Sequence, residues 1–238
     1  PTTPRKTLNI VLGGFLGLLG GVGLVLLLNN VDSKIYSITQ VKSLLSLPIL
    51  AELGKFTKAQ MKFAEMAPSE KEGYRRLRAS VFTLQRDNHL KTLMITSPDN
   101  DEGKSTIVSN LATSIAQLGR SVLVIDCDMR QPSQHILLDL PNEVGLSTVL
   151  EKKVSLSEAI QPTTIPGLSV LTSGPVPDDP PKLLASPFMM DLLRELAPKF
   201  DVILLDTPAA MPVVDTTVLA PLADGVLLVV RFGRSQRD

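Results

Sequence analysis

The chain has 238 residues, 44% of them hydrophobic, and its 24 Lys plus Arg are balanced by 24 Asp plus Glu. That is ample material for one sizeable core plus a membrane or linker element, and the zero net charge supplies no global field for nucleic acid, so none is expected as a partner. A single cysteine, Cys127, cannot form an internal disulfide and fits a reducing compartment.

Residues 8–28, LNIVLGGFLGLLGGVGLVLLL, carry no charge, and 21 residues at about 1.5 Å each cover a hydrocarbon layer of roughly 30 Å. This predicts one transmembrane helix. Gly13, Gly17 and Gly21 recur every four residues, which either lets two membrane helices approach closely or only softens an unpartnered helix. A signal peptide competes because Arg5 and Lys6 precede the run, but the stretch is long and no small-x-small cleavage site follows it. Lys34 and Lys42 beyond the helix balance Arg5 and Lys6, so basic residues do not orient it. A cytoplasmic nucleotide site would orient it, with Pro1 outside.

Residues 31–68 read as a cytoplasmic juxtamembrane connector with little core of its own. Segment 31–90 holds ten basic and six acidic residues, a modest excess that suits a solvated face, with a specific anionic partner as the alternative. Ser69 to Arg86 is predicted helical, with Ser69 as cap and Glu72 three residues on. Leu93–Thr96, Val122–Asp126, Leu168–Thr172, Val202–Asp206 and Val226–Val230 are short continuous apolar runs of the parallel-sheet kind, alternating with helices. Residues 69–238 are therefore expected to form a doubly wound, mostly parallel α/β domain with its site at the carboxyl ends of the strands. Pro175, Pro177, Pro180 and Pro181 make a rigid loop. The start without Met and the stop at Asp238, just after a strand-like run, suggest a piece of a longer protein.

Asp101-Glu102-Gly103-Lys104-Ser105-Thr106 follows the first run and opens a stretch through Leu118, the strand, loop and helix order of a phosphate-binding loop. Backbone N–H groups at such a helix start face phosphates, Lys104 reaches the outer phosphates, and Ser105 offers its oxygen to Mg²⁺. The match is imperfect: Pro98 stands where the general pattern has glycine, and Asp99, Asn100, Asp101 and Glu102 place acidic groups beside the expected ATP. Those acidic side chains are expected to point to solvent, because like charge beside polyphosphate is costly. Two further runs deliver Asp126-Cys127-Asp128-Met129-Arg130 and Asp206-Thr207-Pro208. A lone strand-terminal Asp is ordinarily a turn or cap residue, but three around one candidate loop point to a metal and catalytic site. His89 and His135 have no second ligand at metal-site spacing.

Together these strings, with Leu171-Thr172-Ser173-Gly174-Pro175 and Asp201-Val202-Ile203-Leu204-Leu205, closely resemble the bacterial tyrosine kinases of exopolysaccharide and capsule synthesis. The family is similar to a polysaccharide co-polymerase fused to a P-loop kinase. Residues 1–30 look like the end of its chain-length-determinant region, and Leu47-Pro48-Ile49-Leu50 like its connector. The resemblance implies an ATP- and Mg²⁺-dependent protein tyrosine kinase at the bacterial inner membrane, with the kinase domain cytoplasmic, that regulates polysaccharide chain length and export. Gly103, Lys104, Ser105 and Thr106 would bind ATP, with Ser105, Asp128 and Asp206 holding Mg²⁺. Lys104, Asp126 and Asp128 would be catalytic, Asp126 accepting or orienting the proton of the attacking tyrosine. Glu72, Arg75 and Arg78 match an E-x-x-R-x-x-R motif implicated in packing neighbouring copies into a ring; the bland alternative is an exposed ion-pair stripe. Implied partners are other copies of the chain, the polysaccharide polymerase and export machinery, a tyrosine phosphatase and the membrane.

The sequence departs from that family in two places. Many relatives read Pro-Gly where this chain has Asn100-Asp101, and the usual tyrosine cluster is missing, since the tyrosines are Tyr36 and Tyr74. Two other functions stay open. A partitioning-type ATPase shares the strand-end pattern but has an additional Lys five residues before the main one, where this chain has Asp99. A nucleotide-sensing assembly module would bind ATP and close a ring without phosphorylating tyrosine.

Overall fold

The computed structural model describes residues 6–31, 34–54, 62–88, 90–211 and 213–235, with side chains of the first helix described for residues 10–24. The first helix, α1 (Lys6–Val31), is continuous, and every described side chain on it is exposed. Among the described residues no helix is long and apolar enough to cross a membrane. The stretch 10–24 is shorter than the 8–28 run read from the sequence, whose flanking side chains lie outside the described residues. A short helix, α2 (Ile38–Leu45), follows; Ser37 caps it by accepting the Gln40 N–H at 3.3 Å.

The next helix, α3 (Pro68–Asn88), begins one residue before the expected cap. Proline suits this first position because its missing N–H would have no helical partner, and the Glu70 carboxylate accepts the Ala67 N–H at 2.8 Å instead. No break in packing marks the expected boundary at 68. Phe63 and Met66 are buried, Phe63 meets the Tyr74 ring edge-on at 6.0 Å, and Leu50, Ala51 and Leu53 pack against the same core. Gly73 suits this close approach: a Cβ there would stand 3.0 Å from Leu53 Cδ2, so the Leu53 side chain would have to shift by a few tenths of an ångström.

The sheet contains β1 (Thr92–Thr96), β2 (Val122–Asp126), β3 (Ile160–Pro162), β4 (Leu168–Leu171), β5 (Val202–Asp206) and β6 (Gly225–Leu228). Their spatial order is β3-β4-β2-β5-β1-β6, and every pair is parallel except β3 with β4. The antiparallel edge strand β3 has no counterpart among the expected runs. The intervening helices are α4 (Lys104–Ala116), α5 (Gln134–Leu137), α6 (Leu146–Leu150), α7 (Leu156–Ala159), α8 (Pro180–Leu184), α9 (Pro187–Leu196) and α10 (Asp215–Leu219).

The two-residue side-chain period of a strand divides β1, β2 and β5 between two cores. Leu93, Ile95, Val122, Val124, Val202 and Leu204 join α3 and α4 on one face. Met94, Leu123, Ile125, Ile203 and Leu205 join α6, α8, α9 and α10 on the other. Each such side chain, fully buried, is worth about 1.5–3 kcal/mol relative to exposure, and both faces being apolar explains why the runs are continuous rather than alternating.

Candidate active site

The loop after β1 turns into α4 through two residues with left-handed backbone, Asp101 at φ 56° and Gly103 at φ 95°. Glycine takes this conformation freely, and aspartate is among the few other residues that tolerate it, so Asp101 can occupy this position. Lys104 is the first residue of α4, so the N–H groups of its opening turn have no partner within the helix and face the loop. Lys104 itself is buried, and its ammonium favours the charged forms of both Asp206 and Glu102.

The acidic shoulder of this loop is held by the end of the described chain. Arg231 donates to the Asp101 carbonyl at 2.9 Å and Arg234 to its carboxylate at 3.0 Å, so Asp101 stays at the surface, turned toward cations. Glu102 departs from the expectation that these acids point to solvent: it is buried and accepts a short hydrogen bond from the Ser235 hydroxyl. Burial raises its pKa above the ordinary value, with the Ser235 bond pulling the other way. The 231–235 segment is in turn tied to the connector, since the Ile35 N–H donates to the Ser235 carbonyl at 2.9 Å and the Gly233 N–H to the Ile35 carbonyl at 2.7 Å.

Asp126 and Asp206 end the adjacent parallel strands β2 and β5 in direct register, which places their carboxyls side by side, both fully buried. Asp126 organises its own loop: one oxygen accepts the Asp128 N–H at 3.2 Å, and the other accepts the N–H groups of Ser133 and Gln134 at 3.0 Å each. With both oxygens engaged by backbone, its geometry is that of a loop organiser, and Asp128 and Asp206 are the acidic groups left to serve a ligand. Burial first and then the Asp206 charge hold the Asp126 carboxyl well above the usual range. Asp206 is pushed up to about 6 by burial, opposed by hydrogen bonding from Gln134 and by the Ser105 hydroxyl. Cys127, between the two acids of its motif, is buried and its thiol is pushed up by desolvation and then by the carboxylates, which makes it a poor nucleophile.

One organiser escaped the sequence reading. Gln134 donates from Nε2 to Asp206 Oδ2 at 2.7 Å and to the Ser105 carbonyl at 3.0 Å. The only local signal was Pro132-Ser133 ahead of a short helix, which brings the N–H of residue 134 to the helix start. Arg130 was also passed over; it makes a two-pronged pair with the buried Asp215 at 2.9 and 3.2 Å, joining the loop after β2 to α10. The oligomerisation candidates lie elsewhere, on α3. Glu72 pairs with Arg75 at 3.3 Å on the surface, whereas Arg78 turns inward to Ser114 of α4, bonding its carbonyl and, at 3.0 Å, its hydroxyl. The three residues therefore do not present one uniform outward stripe. Tyr74 is fully buried beside Asn110, and burial raises its pKa; Tyr36 is exposed.

Mg²⁺ prefers near-octahedral oxygen and is held by one or two carboxylates together with phosphate and water. The residues present fit such an ion: Ser105 at the start of α4, the carboxylate of Asp128, and Asp206 Oδ1, which is buried without a hydrogen-bond partner. Among the described residues no three His, Cys, Asp or Glu side chains form a group that could hold a metal ion by themselves.

Comparison with known proteins agrees with this geometry. The AAA domain family matches residues 91–235. The chain is 41% identical over 167 residues to the tyrosine-protein kinase YwqD of Bacillus subtilis, covering 70% of each. The chain belongs to the bacterial tyrosine-kinase family. It is 33% identical over 256 residues to the tyrosine-protein kinase etk of Escherichia coli, covering 98% of this chain but 35% of that protein. The etk kinase domain superposes with a TM-score of 0.75 at 31% identity, covering 81% of each chain. A more distant family-wide likeness, TM-score 0.51 at 25% identity over 58% of this chain and 57% of the other, is to the septum site-determining protein MinD of Pyrococcus horikoshii, complexed with Mg-ADP.

Proposed function

We propose that this chain is the kinase-bearing end of an inner-membrane protein tyrosine kinase that uses ATP and Mg²⁺ to regulate exopolysaccharide or capsule chain length, polymerisation and export. The observation that carries the reading is the convergence of Lys104, Ser105, Asp128 and the unpartnered Asp206 Oδ1 at the carboxyl ends of three buried parallel strands. In this reading residues 1–30 close the chain-length-determinant region and 8–28 cross the membrane. Residues 31–68 form the connector, and 69–238 form the cytoplasmic kinase domain. Neighbouring copies in a ring, the polymerase and export machinery and a tyrosine phosphatase are the partners.

Each residue acts through charge and position. The amides at the start of α4 and the Lys104 ammonium bind the phosphates and stabilise the negative charge that spreads over the transferred group. Ser105, Asp128 and Asp206 hold Mg²⁺, which when bound neutralises phosphate charge. The attacking tyrosine hydroxyl, with an ordinary pKa near 10, needs a nearby acceptor for its proton. Asp126, the candidate for that role, already accepts three backbone N–H groups, so it takes the proton only by giving up one of them, and Asp128 is committed to the metal. Glu72 and Arg75 remain available to a neighbouring copy, while Arg78 steadies α3 against α4.

The test is to incubate the extended native protein with labelled ATP and Mg²⁺ and identify the phosphorylated residue. Phosphotyrosine is the expected result. Released phosphate alone supports a partitioning-type ATPase, and nucleotide binding without turnover supports a sensing module; either outcome overturns the kinase reading.

A further inference from the structure

We infer that Gln134 is a positioning residue for the divalent cation, its Nε2 fixing which oxygen of Asp206 is engaged within the protein and its Oε1 accepting a hydrogen from the cation's water shell. The inference rests on the magnesium-nucleotide reading of the site.

Gln134 is fully buried and touches all three strand-end motifs. Its backbone N–H bonds Asp126, and its Nε2 bonds Asp206 and the carbonyl of Ser105. The amide orientation is fixed by its neighbours, because the reverse would press Oε1 against a carboxylate and a carbonyl. Oε1 is therefore directed away from both, and it is buried with no hydrogen-bond partner, as is Asp206 Oδ1. Each unmet buried acceptor costs about 1–3 kcal/mol, and these two belong to planar groups that are hydrogen-bonded to each other. A hydrated cation answers both needs at once, with positive charge for Oδ1 and water hydrogens for Oε1. Ser105 supplies its carbonyl to Gln134 and its hydroxyl toward Asp206, so the same amide also ties the first turn of α4 to the metal-facing carboxylate.

The experiment measures ADP affinity of the full chain by calorimetry across a Mg²⁺ titration and in EDTA, with Mn²⁺ binding followed by electron paramagnetic resonance. Gln134→Met keeps the side chain's length but removes both the donor and the acceptor. The Mg²⁺ or Mn²⁺ concentration for half-maximal effect should rise about tenfold, the scale of losing an outer partner of a metal site, while ADP affinity in EDTA changes less than about twofold. Gln134→Asn keeps both the donor and the acceptor but withdraws the amide by one methylene from Asp206 and Ser105, so its metal requirement should rise by less than that of Gln134→Met. An unchanged metal requirement in Gln134→Met means that ordinary water serves the two oxygens, and equal losses with and without metal mean a purely structural role; both overturn the inference. Should Gln134→Met lose its cooperative melting transition, Gln134→Asn decides, and an unchanged metal requirement there overturns it as well. Failure of the underlying site reading would look different, since the parental chain would then not bind Mg·ADP at all.

Discussion

Helices α1 and α4 invert the usual relation between composition and burial. The described part of α1 is apolar and exposed throughout, with Ile10, Phe15, Leu16 and Leu18 all above half exposure. In α4 every residue but Ser105 is buried, including Lys104, Ser109, Asn110, Thr113 and Ser114. Hydropathy thus reports which medium a helix is suited to meet, whereas burial in the domain is decided by topology: the loop after the buried strand β1 obliges α4 to cover the sheet whatever its polarity. Some polar groups of α4 are satisfied locally, Thr113 on the Ser109 carbonyl at 2.8 Å and Ser109 on the Thr106 carbonyl at 3.2 Å, and others by α3, where Asn110 meets Tyr74 and Ser114 meets Arg78.

The sharpest way to break the comparison is at the start of α4. Lys104→Met should lower phosphotransfer by about 10³-fold or more, the scale of losing a main electrostatic stabiliser, with the melting temperature nearly unchanged. A melting shift as large as that of a core deletion would show that Lys104 supports the fold instead. On α1, Leu16→Arg should reduce membrane insertion by about 2.5–3.5 kcal/mol if lipid is the medium that its exposed apolar face meets, with nucleotide binding unaffected. Unaltered partition in a carbonate-extraction assay would remove α1 from the membrane. Where α3 meets α4, Arg78→Ala should cost about 1–2 kcal/mol in urea denaturation through the lost bonds to Ser114. Arg75→Ala, which loses only an exposed ion pair, should cost under about 0.5 kcal/mol. Arg75 is consequently the cleaner probe of assembly, read by sedimentation.

A further effect concerns pH. The folded-state pKa of Asp206, about 6, lies above its ordinary 3.8, so its contribution favours the folded state fully below 3.8 and is lost as pH rises through about 6. In metal-free protein, Asp206→Asn should flatten the decline in melting temperature across that window. Identical pH profiles for the two proteins would refute the assignment.

The sequence disclosed the central elements because their signals are local. Continuous apolar runs gave β1, β2, β4 and β5, and Gly103-Lys104-Ser105 with Asp126, Asp128 and Asp206 marked the candidate site. What it concealed depends on distant partners. β3 is three residues ending in Pro162 and exists by pairing with β4; its own composition is no strand signal. Glu102 is drawn inward by Ser235, 133 positions away, and Arg78 by Ser114, 36 positions away. Gln134 becomes an organiser only once β2 and β5 are adjacent, which no spacing along the chain announces.

Ile35, four positions beyond the end of α1, is laced by two main-chain bonds to the same strap that clasps Asp101 and Glu102. The connector at Ile35 and the phosphate loop at Asp101 and Glu102 thereby rest on one shared segment of chain. The acidic shoulder that looks like a defect in the phosphate motif is, mechanically, the handle by which the rest of the protein holds it.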